Sequence, residues 1–274
     1  MKKLLGSTYW LRSASVLVFL ISTANFVWAQ ERLLVVGGGT RPPEAMKKFV
    51  EWAGNEKARI LIVTWASGEP AASFEGLKKN FSTLPALSVE HAPVAPLDAA
   101  EREQFVTQVG KATGIFFSGG DQNRIMDVLA DEGLLKLLKE KYAGGVAFGG
   151  TSAGAALMSD PMMTGEADLK ILDGTKVGIR RGLGLLPNAI FDQHFLVRQR
   201  HNRLLGLVMQ NPAMLGIGID EDTAVLIEDN RRLEVAGATQ VMFVDAKNRN
   251  GAMLIHLLKP GERFDLRKRK PSGR

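Results

Sequence analysis

The 274-residue sequence contains no cysteine and only four histidines. Without cysteine there is no disulfide, no thiolate metal site and no cysteine nucleophile, so the fold must be held by burial. His91, His194, His201 and His256 form no H-E-x-x-H pair or related spacing, which sets metal catalysis aside. Phosphate-binding signatures are missing too. Gly37-Gly38-Gly39-Thr40 closes an apolar run but does not read G-x-G-x-x-G, and no Gly-Lys-Ser/Thr lysine is present. No Pro- or Ser-rich linker, internal repeat or low-complexity tract divides the chain. No cofactor is called for.

At the N-terminus, Lys2, Lys3 and Arg12 precede the apolar stretch "SVLVFLISTANFVWA", which ends in the small-residue pattern Val27-Trp28-Ala29. That order describes a secretory signal peptide cleaved after Ala29. The stretch is interrupted by Ser22, Thr23 and Asn25 and is short for a membrane span. The expectation is a protein that loses residues 1–29, becomes secreted or periplasmic and keeps no membrane association. Removing that segment takes away three basic and no acidic residues, so formal net charge falls from +6 to +3. The remaining charges are mixed in sign, which argues against nucleic acid as a partner. "RKRKPSGR", residues 267–274, reads as a solvated basic tail.

Between them, residues 30–266 read as one α/β domain. Apolar runs at 32–39, 58–67, 87–94, 114–120 and 145–150 alternate with helical patterns. The last of those helices is expected to run unbroken through "QNRIMDVLADEGLLKLLKEKYAGG". Continuous apolar strands between helices indicate a mostly parallel sheet flanked by helices on both faces. Residues 214–246 lack helical period and read as antiparallel hairpins with "EDNRR" as a turn, giving one mixed sheet.

In such folds functional groups gather beyond the carboxyl ends of the strands. One of those ends reads "GGTSAGA" (149–155), which contains G-x-S-x-G around Ser152. A sharp strand-to-helix turn would expose the serine oxygen, and glycines two residues away on each side prevent collision. Small residues that merely let a helix pack on a strand give the same pattern. A serine nucleophile needs a base. His256 sits in the apolar "MLIHLL", His91 in an earlier strand and His201 in a polar helical run, whereas His194 follows the short strand "AIF" at its end. Asp220, Glu221 and Asp222 follow another apolar strand, and alternation separates the three only weakly. The order Ser…His…carboxylate differs from the α/β-hydrolase order Ser…Asp/Glu…His.

With "FSGGDQ" (117–122), "GGTSAGA" (149–155), "DQHFLVRQRHNRL" (192–204) and "GIGIDEDTA" (216–224) in that order, the chain resembles the cyanophycinase branch of the S51 serine peptidases. That family is similar in fold to class I glutamine amidotransferases. The resemblance implies Ser152 as nucleophile, His194 as general base and Glu221 as the group orienting it. It implies oxyanion donors at Gly120 and Ala153, and substrate-binding roles for Asp121, Gln122, Asp192, Gln193, Arg198, Arg200 and Arg203. The implied substrate is cyanophycin, a poly-aspartate with arginine on each β-carboxyl, or aspartyl peptides. Arginines suit its carboxylates, and Asp192, Asp121 or Glu166 could take its guanidinium. The segments 63–76 and 164–186 match more loosely. Polymer hydrolysis, an aspartyl or isoaspartyl dipeptidase and a non-catalytic periplasmic binding module are therefore the readings carried forward, with a homodimer left open.

Overall fold

The computed structural model describes residues 30–273, and every structural statement below refers to these; the expected signal peptide, 1–29, lies outside them. The first half alternates as the apolar runs require: β1 (Arg32–Val36), α1 (Pro43–Trp52), β2 (Ala58–Val63), α2 (Pro70–Phe81), β3 (Ala86–His91), α3 (Ala99–Lys111) and β4 (Gly114–Phe117). In β1 the run has no polar alternation because both faces are covered. Leu33 and Val35 point into one core with Ile115 and Phe148, and Leu34 and Val36 into another with Phe49 and Phe116.

The expected long helix is two. α4 (Gln122–Val128) and α5 (Glu132–Ala143) are separated at Asp131, whose side chain accepts from Gly133 N and Leu134 N at 2.9 and 3.2 Å. The apolar period runs through the break, so periodicity conceals it, whereas an N-cap aspartate marks it. Arg102 on α3 donates to the same carboxylate at 2.5 Å and, chiefly through that bond, holds it at about pKa 2.

β5 (Ala147–Thr151) leads through Ser152 into the single-turn α6 (Ala153–Ala156). There follow β6 (Met162–Ala167), β7 (Val177–Arg180), β8 (Ala189–Asp192) and α7 (His201–Gln210). β9 (Leu215–Ile219), β10 (Thr223–Glu228), β11 (Arg232–Gly237), β12 (Val241–Asp245), β13 (Leu254–Leu258), β14 (Arg263–Asp265) and β15 (Lys270–Ser272) complete the chain.

The expected single mixed sheet is divided. A nine-stranded sheet runs β15-β14-β11-β10-β1-β5-β4-β2-β3, parallel from β1 to β3 and antiparallel on the other side. A separate four-stranded sheet runs β13-β12-β9-β8, and β6 pairs with β7 alone. The sequence 215–219, Leu-Gly-Ile-Gly-Ile, explains why β9 sits where it does. Ile217 and Ile219 enter the core shared with the large sheet. The intervening glycines face the other way: a Cβ on Gly216 would fall 2.8 Å from Val208 of α7, and one on Gly218 2.6 Å from the Phe195 ring.

The C-terminal residues are not a free tail. Lys270–Ser272 pair with Arg263–Asp265, and Arg269 donates to Asp245 Oδ1 at 2.7 Å and to the Ala213 carbonyl. No helix among the described residues is long and apolar enough to cross a membrane.

Replacing Asp131 by Ala is expected to lower stability by about 1 kcal/mol, the typical value of an N-cap. Urea denaturation checks this, and an unchanged midpoint would deny that the cap sets the helix break.

Candidate active site

Ser152 occupies the junction of β5 and α6 with φ 54° and ψ −111°, a backbone geometry unusual for any residue but glycine. Neighbouring strands fix it there. Its N–H donates to Val36 O at 3.1 Å, and Gly154 N donates to Ser118 O at 3.0 Å. A Cβ on Gly150 would fall 2.4 Å from Gly154 O, and one on Gly154 2.4 Å from Phe117 O, so both positions flanking the serine must be glycine. Although Ser152 stands at an N-cap position, its hydroxyl does not cap the helix. It lies 2.7 Å from His194 Nε2.

His194 follows β8, in the small sheet, and is itself at φ 49°. Its N–H donates to Gly37 O at 2.8 Å, which ties the histidine loop to the end of β1 in the large sheet. The imidazole lies on the backbone of Gly38, where a Cβ would come within 2.3 Å of Cε1. On its far side Nδ1 donates to Glu221 Oε1 at 2.5 Å. With that proton on Nδ1, Nε2 is left to accept from the serine hydroxyl. Burial pushes the imidazole below its ordinary 6.5, the Glu221 bond opposes this, and the charges of Arg198 and Arg200 add to the lowering.

The three carboxylates that alternation could not separate have different partners. Asp220 Oδ1 accepts from Leu196 N and Val197 N at 3.1 Å each, Glu221 reaches His194, and Asp222 Oδ1 accepts from Thr40 N at 2.5 Å. The β4 end closes the other flank. A Cβ on Gly119 would lie 3.2 Å from Ser152 Cβ, and Gly120, at φ 134°, is pressed against Ala66. The backbone N–H groups of Gly120 and Ala153 have no acceptor among the described residues.

The expected substrate-binding residues fare unequally. Asp192 and Arg203 are fully buried and form a bidentate ion pair, with Arg203 Nε 2.8 Å from Asp192 Oδ2. Each neutralises the other, so neither is the free charge expected of it; they shape the wall beneath the histidine loop. Gln122 is also buried and donates to Met163 O at 2.7 Å, tying α4 to β6. Asp121 caps α4 through Asn123 N at 2.9 Å and stays exposed. Arg200 is buried, donates to Gln193 O at 2.8 Å and has no ion-pair partner; burial pushes its guanidinium down to about 10, still charged at neutral pH. Arg198 is exposed and Gln193 Oε1 is buried without a partner. Glu166 is exposed on β6.

Two features of the site have roles that the sequence does not show. Gly37–Gly39, whose only legible trait is three glycines at a strand's carboxyl end, form the bed for the imidazole. Arg41, half-buried, donates to Gly39 O at 2.9 Å beside Asp222. Among the described residues no group of three or more His, Asp and Glu side chains is placed to hold a metal ion.

Residues 33–235 match the model of peptidase family S51. The chain is similar to a cyanophycinase of Nostoc sp., 34% identical over an alignment of 256 residues that covers 86% of each chain. It is also similar to that of Geminocystis herdmanii, 35% identical over 224 residues, 80% of this chain and 82% of the relative. Among solved structures, a peptidase from an acI-B1 actinobacterium superposes with a TM-score of 0.67 at 24% identity, covering 87% of this chain and 98% of that one. A putative peptidase E from Listeria monocytogenes gives 0.56 at 19% identity, covering 77% and 100%. At those identities the structures speak for the fold alone.

Replacing Asp192 by Asn should leave Arg203 buried and uncompensated, at a loss of about 3–5 kcal/mol. The exposed Arg198→Gln should stay within about 0.5 kcal/mol. Equal urea midpoints for the two variants would contradict the assignment of Asp192 and Arg203 to the frame of the site.

Proposed function

The chain belongs to peptidase family S51, and from that premise we propose that it is a serine-type exopeptidase that hydrolyses cyanophycin to β-Asp-Arg dipeptides. The observation that carries the mechanism is the unbroken chain of hydrogen bonds Ser152–His194–Glu221, at 2.7 and 2.5 Å. The substrate rests on the cyanophycinase relatives at 34–35% identity.

Ser152 Oγ attacks the scissile carbonyl while His194 Nε2 takes its proton. The oxyanion accepts hydrogen bonds from the N–H groups of Gly120 and Ala153, which are free to donate. Collapse of the tetrahedral adduct breaks the C–N bond, and His194 returns the proton to the leaving amine. A water, deprotonated by the same nitrogen, then attacks the acyl ester and releases the carboxylate with Ser152 restored. Glu221 keeps the ring in the tautomer that accepts at Nε2 and stabilises the imidazolium that forms. Because burial holds His194 below its ordinary value, the base is neutral at pH 7 without further change.

Arg198 and Arg200, the two arginines of "RQRHNR" without an acidic partner, supply positive charge for substrate carboxylates. The buried Gln193 Oε1 offers an acceptor to a substrate N–H. An aspartyl dipeptidase would draw only on fold likeness to the putative peptidase E, and is not favoured. Export is part of the proposal and rests on residues 1–29; the N-terminus of exported protein should begin at Gln30, and a retained leader would overturn it.

Incubation with insoluble cyanophycin should clear the suspension and release dipeptide, and Ser152→Ala should do neither. Glu221→Gln should lower kcat by about 10³–10⁴-fold, as loss of the orienting carboxylate does elsewhere. Failure of the wild type to clear the polymer removes the substrate, and an active Ser152→Ala removes the mechanism. The acid limb of kcat/KM should lie below pH 6.5, because activity is lost as pH falls through the lowered His194 pKa. Arg198→Gln removes a charge that disfavours the imidazolium, so its limb should move upward.

A further inference from the structure

Beyond the serine, the C-terminal edge of the large sheet carries a second concavity of about 640 Å³ that none of the groups above occupies. Trp65 and Ser67, just past β2, form one side, and Arg124, Asp127 and Val128 of α4 form the other. Ala95, Pro96 and Leu97 line it as well, with Arg102 and Asp131. The hollow shares a wall with the candidate oxyanion site. Gly120 is packed against Ala66, whose carbonyl accepts from Asp121 N at 2.8 Å, so the strip Ala66–Ser67 borders both.

Charge is distributed unevenly around it. Arg102 is engaged by Asp131 at 2.5 Å, and Asp127 Oδ1 by Arg180 at 2.8 Å. Arg124 alone has no ion-pair partner among the described residues; its one side-chain hydrogen bond there is a long one, 3.5 Å to Ser67 O. Trp65, Ala95, Pro96 and Leu97 give it an apolar surface, and the Trp65 indole N–H is already satisfied by Pro93 O at 2.8 Å. An apolar surface flanked by one free guanidinium and a half-engaged carboxylate fits a ligand with an aliphatic stem, a carboxylate and a cation at its ends.

From this we infer that the hollow is a distal subsite for the arginine branch of a neighbouring unit on the polymer. The inference rests on the proposed cyanophycin reading. Each branch is joined through its α-amino group, so it exposes a free α-carboxylate and, three methylenes away, a guanidinium. The carboxylate meets Arg124, the methylenes lie on Trp65 and Pro96, and the guanidinium reaches the free oxygen of Asp127. The hollow lies across the strip Ala66–Ser67 from the oxyanion donors, so a branch held there belongs to a unit other than the one being cleaved, and the subsite favours substrates of more than one unit.

The test compares wild type, Arg124→Gln and Arg124→Lys on cyanophycin and on the shortest cleavable oligomer of β-Asp-Arg. Arg124 is exposed on its helix, and thermal melting verifies that the variants fold. The polymer-to-oligomer ratio of kcat/KM should fall about ten-fold in Arg124→Gln, through KM, with Arg124→Lys between it and wild type. Cosedimentation of Ser152→Ala with insoluble polymer should weaken when Arg124→Gln is added. Clearing by the wild type with an unchanged ratio would overturn the subsite while leaving the hydrolysis in place. Binding by Ser152→Ala that depends on Arg124, without clearing by the wild type, would keep the subsite and overturn the hydrolysis. Absence of both clearing and binding would remove the two together.

Discussion

Three consecutive carboxylates hold the site together, because each fastens a different piece of chain. Asp220 takes the two N–H groups that follow Phe195, Glu221 takes the imidazole, and Asp222 takes Thr40 N. They sit where β9 of the small sheet hands over to β10 of the large one. The Ser152 turn and the Gly37–Gly39 bed belong to the large sheet, and His194 to the small one. The tripeptide therefore fixes the distance between two sheets at the place where the serine hydroxyl meets the imidazole. A carboxylate that accepts backbone N–H groups suits this task, being strong and directional and needing no second side chain.

The serine and histidine both adopt positive φ, and both are held there by neighbours rather than by their own preference. Val36 O, Gly37 O and Ser118 O receive the N–H groups that keep these turns in place. Local strain at functional residues survives only where the surroundings over-determine it. Here the surroundings are three strand ends, the glycines that let them approach, and the neutral pair Asp192–Arg203 beneath.

Much of this was legible in the residue pattern, and the reasons for success and failure are physical. Doubly buried strands such as 32–36 and 114–117 show as unbroken apolar runs, so the parallel half of the fold could be read directly. Hairpin periodicity at 214–246 says that strands pair but not with whom, which is why the division into two sheets was hidden. Glycines at 216 and 218 carried the missing information, as the side on which a helix and an aromatic ring lie close. The turn around Ser152 and the position of His194 followed from strand ends. The mutual neutralisation of Asp192 and Arg203 did not, because a charge run looks the same whether it faces solvent or a buried partner. Likewise 267–274 carried the composition of a tail, and only pairing with β14 makes 270–272 a strand, with Arg269 anchored on Asp245 and Ala213.

The large sheet places β10 directly against β1, with Gln30 and Asp229 hydrogen-bonded although 199 residues apart. That adjacency bears on the order of events during synthesis. Ser152 and its glycines exist early, but the free edge of β1 stays unpaired until residues 223–228 of β10 have been made. Contacts so distant in sequence form late, because the loop entropy must be met before they reward it. A chain still being synthesised thus holds Ser152 before it can meet His194 and Glu221. The site is therefore assembled at the close of folding, by the arrival of the chain's last third.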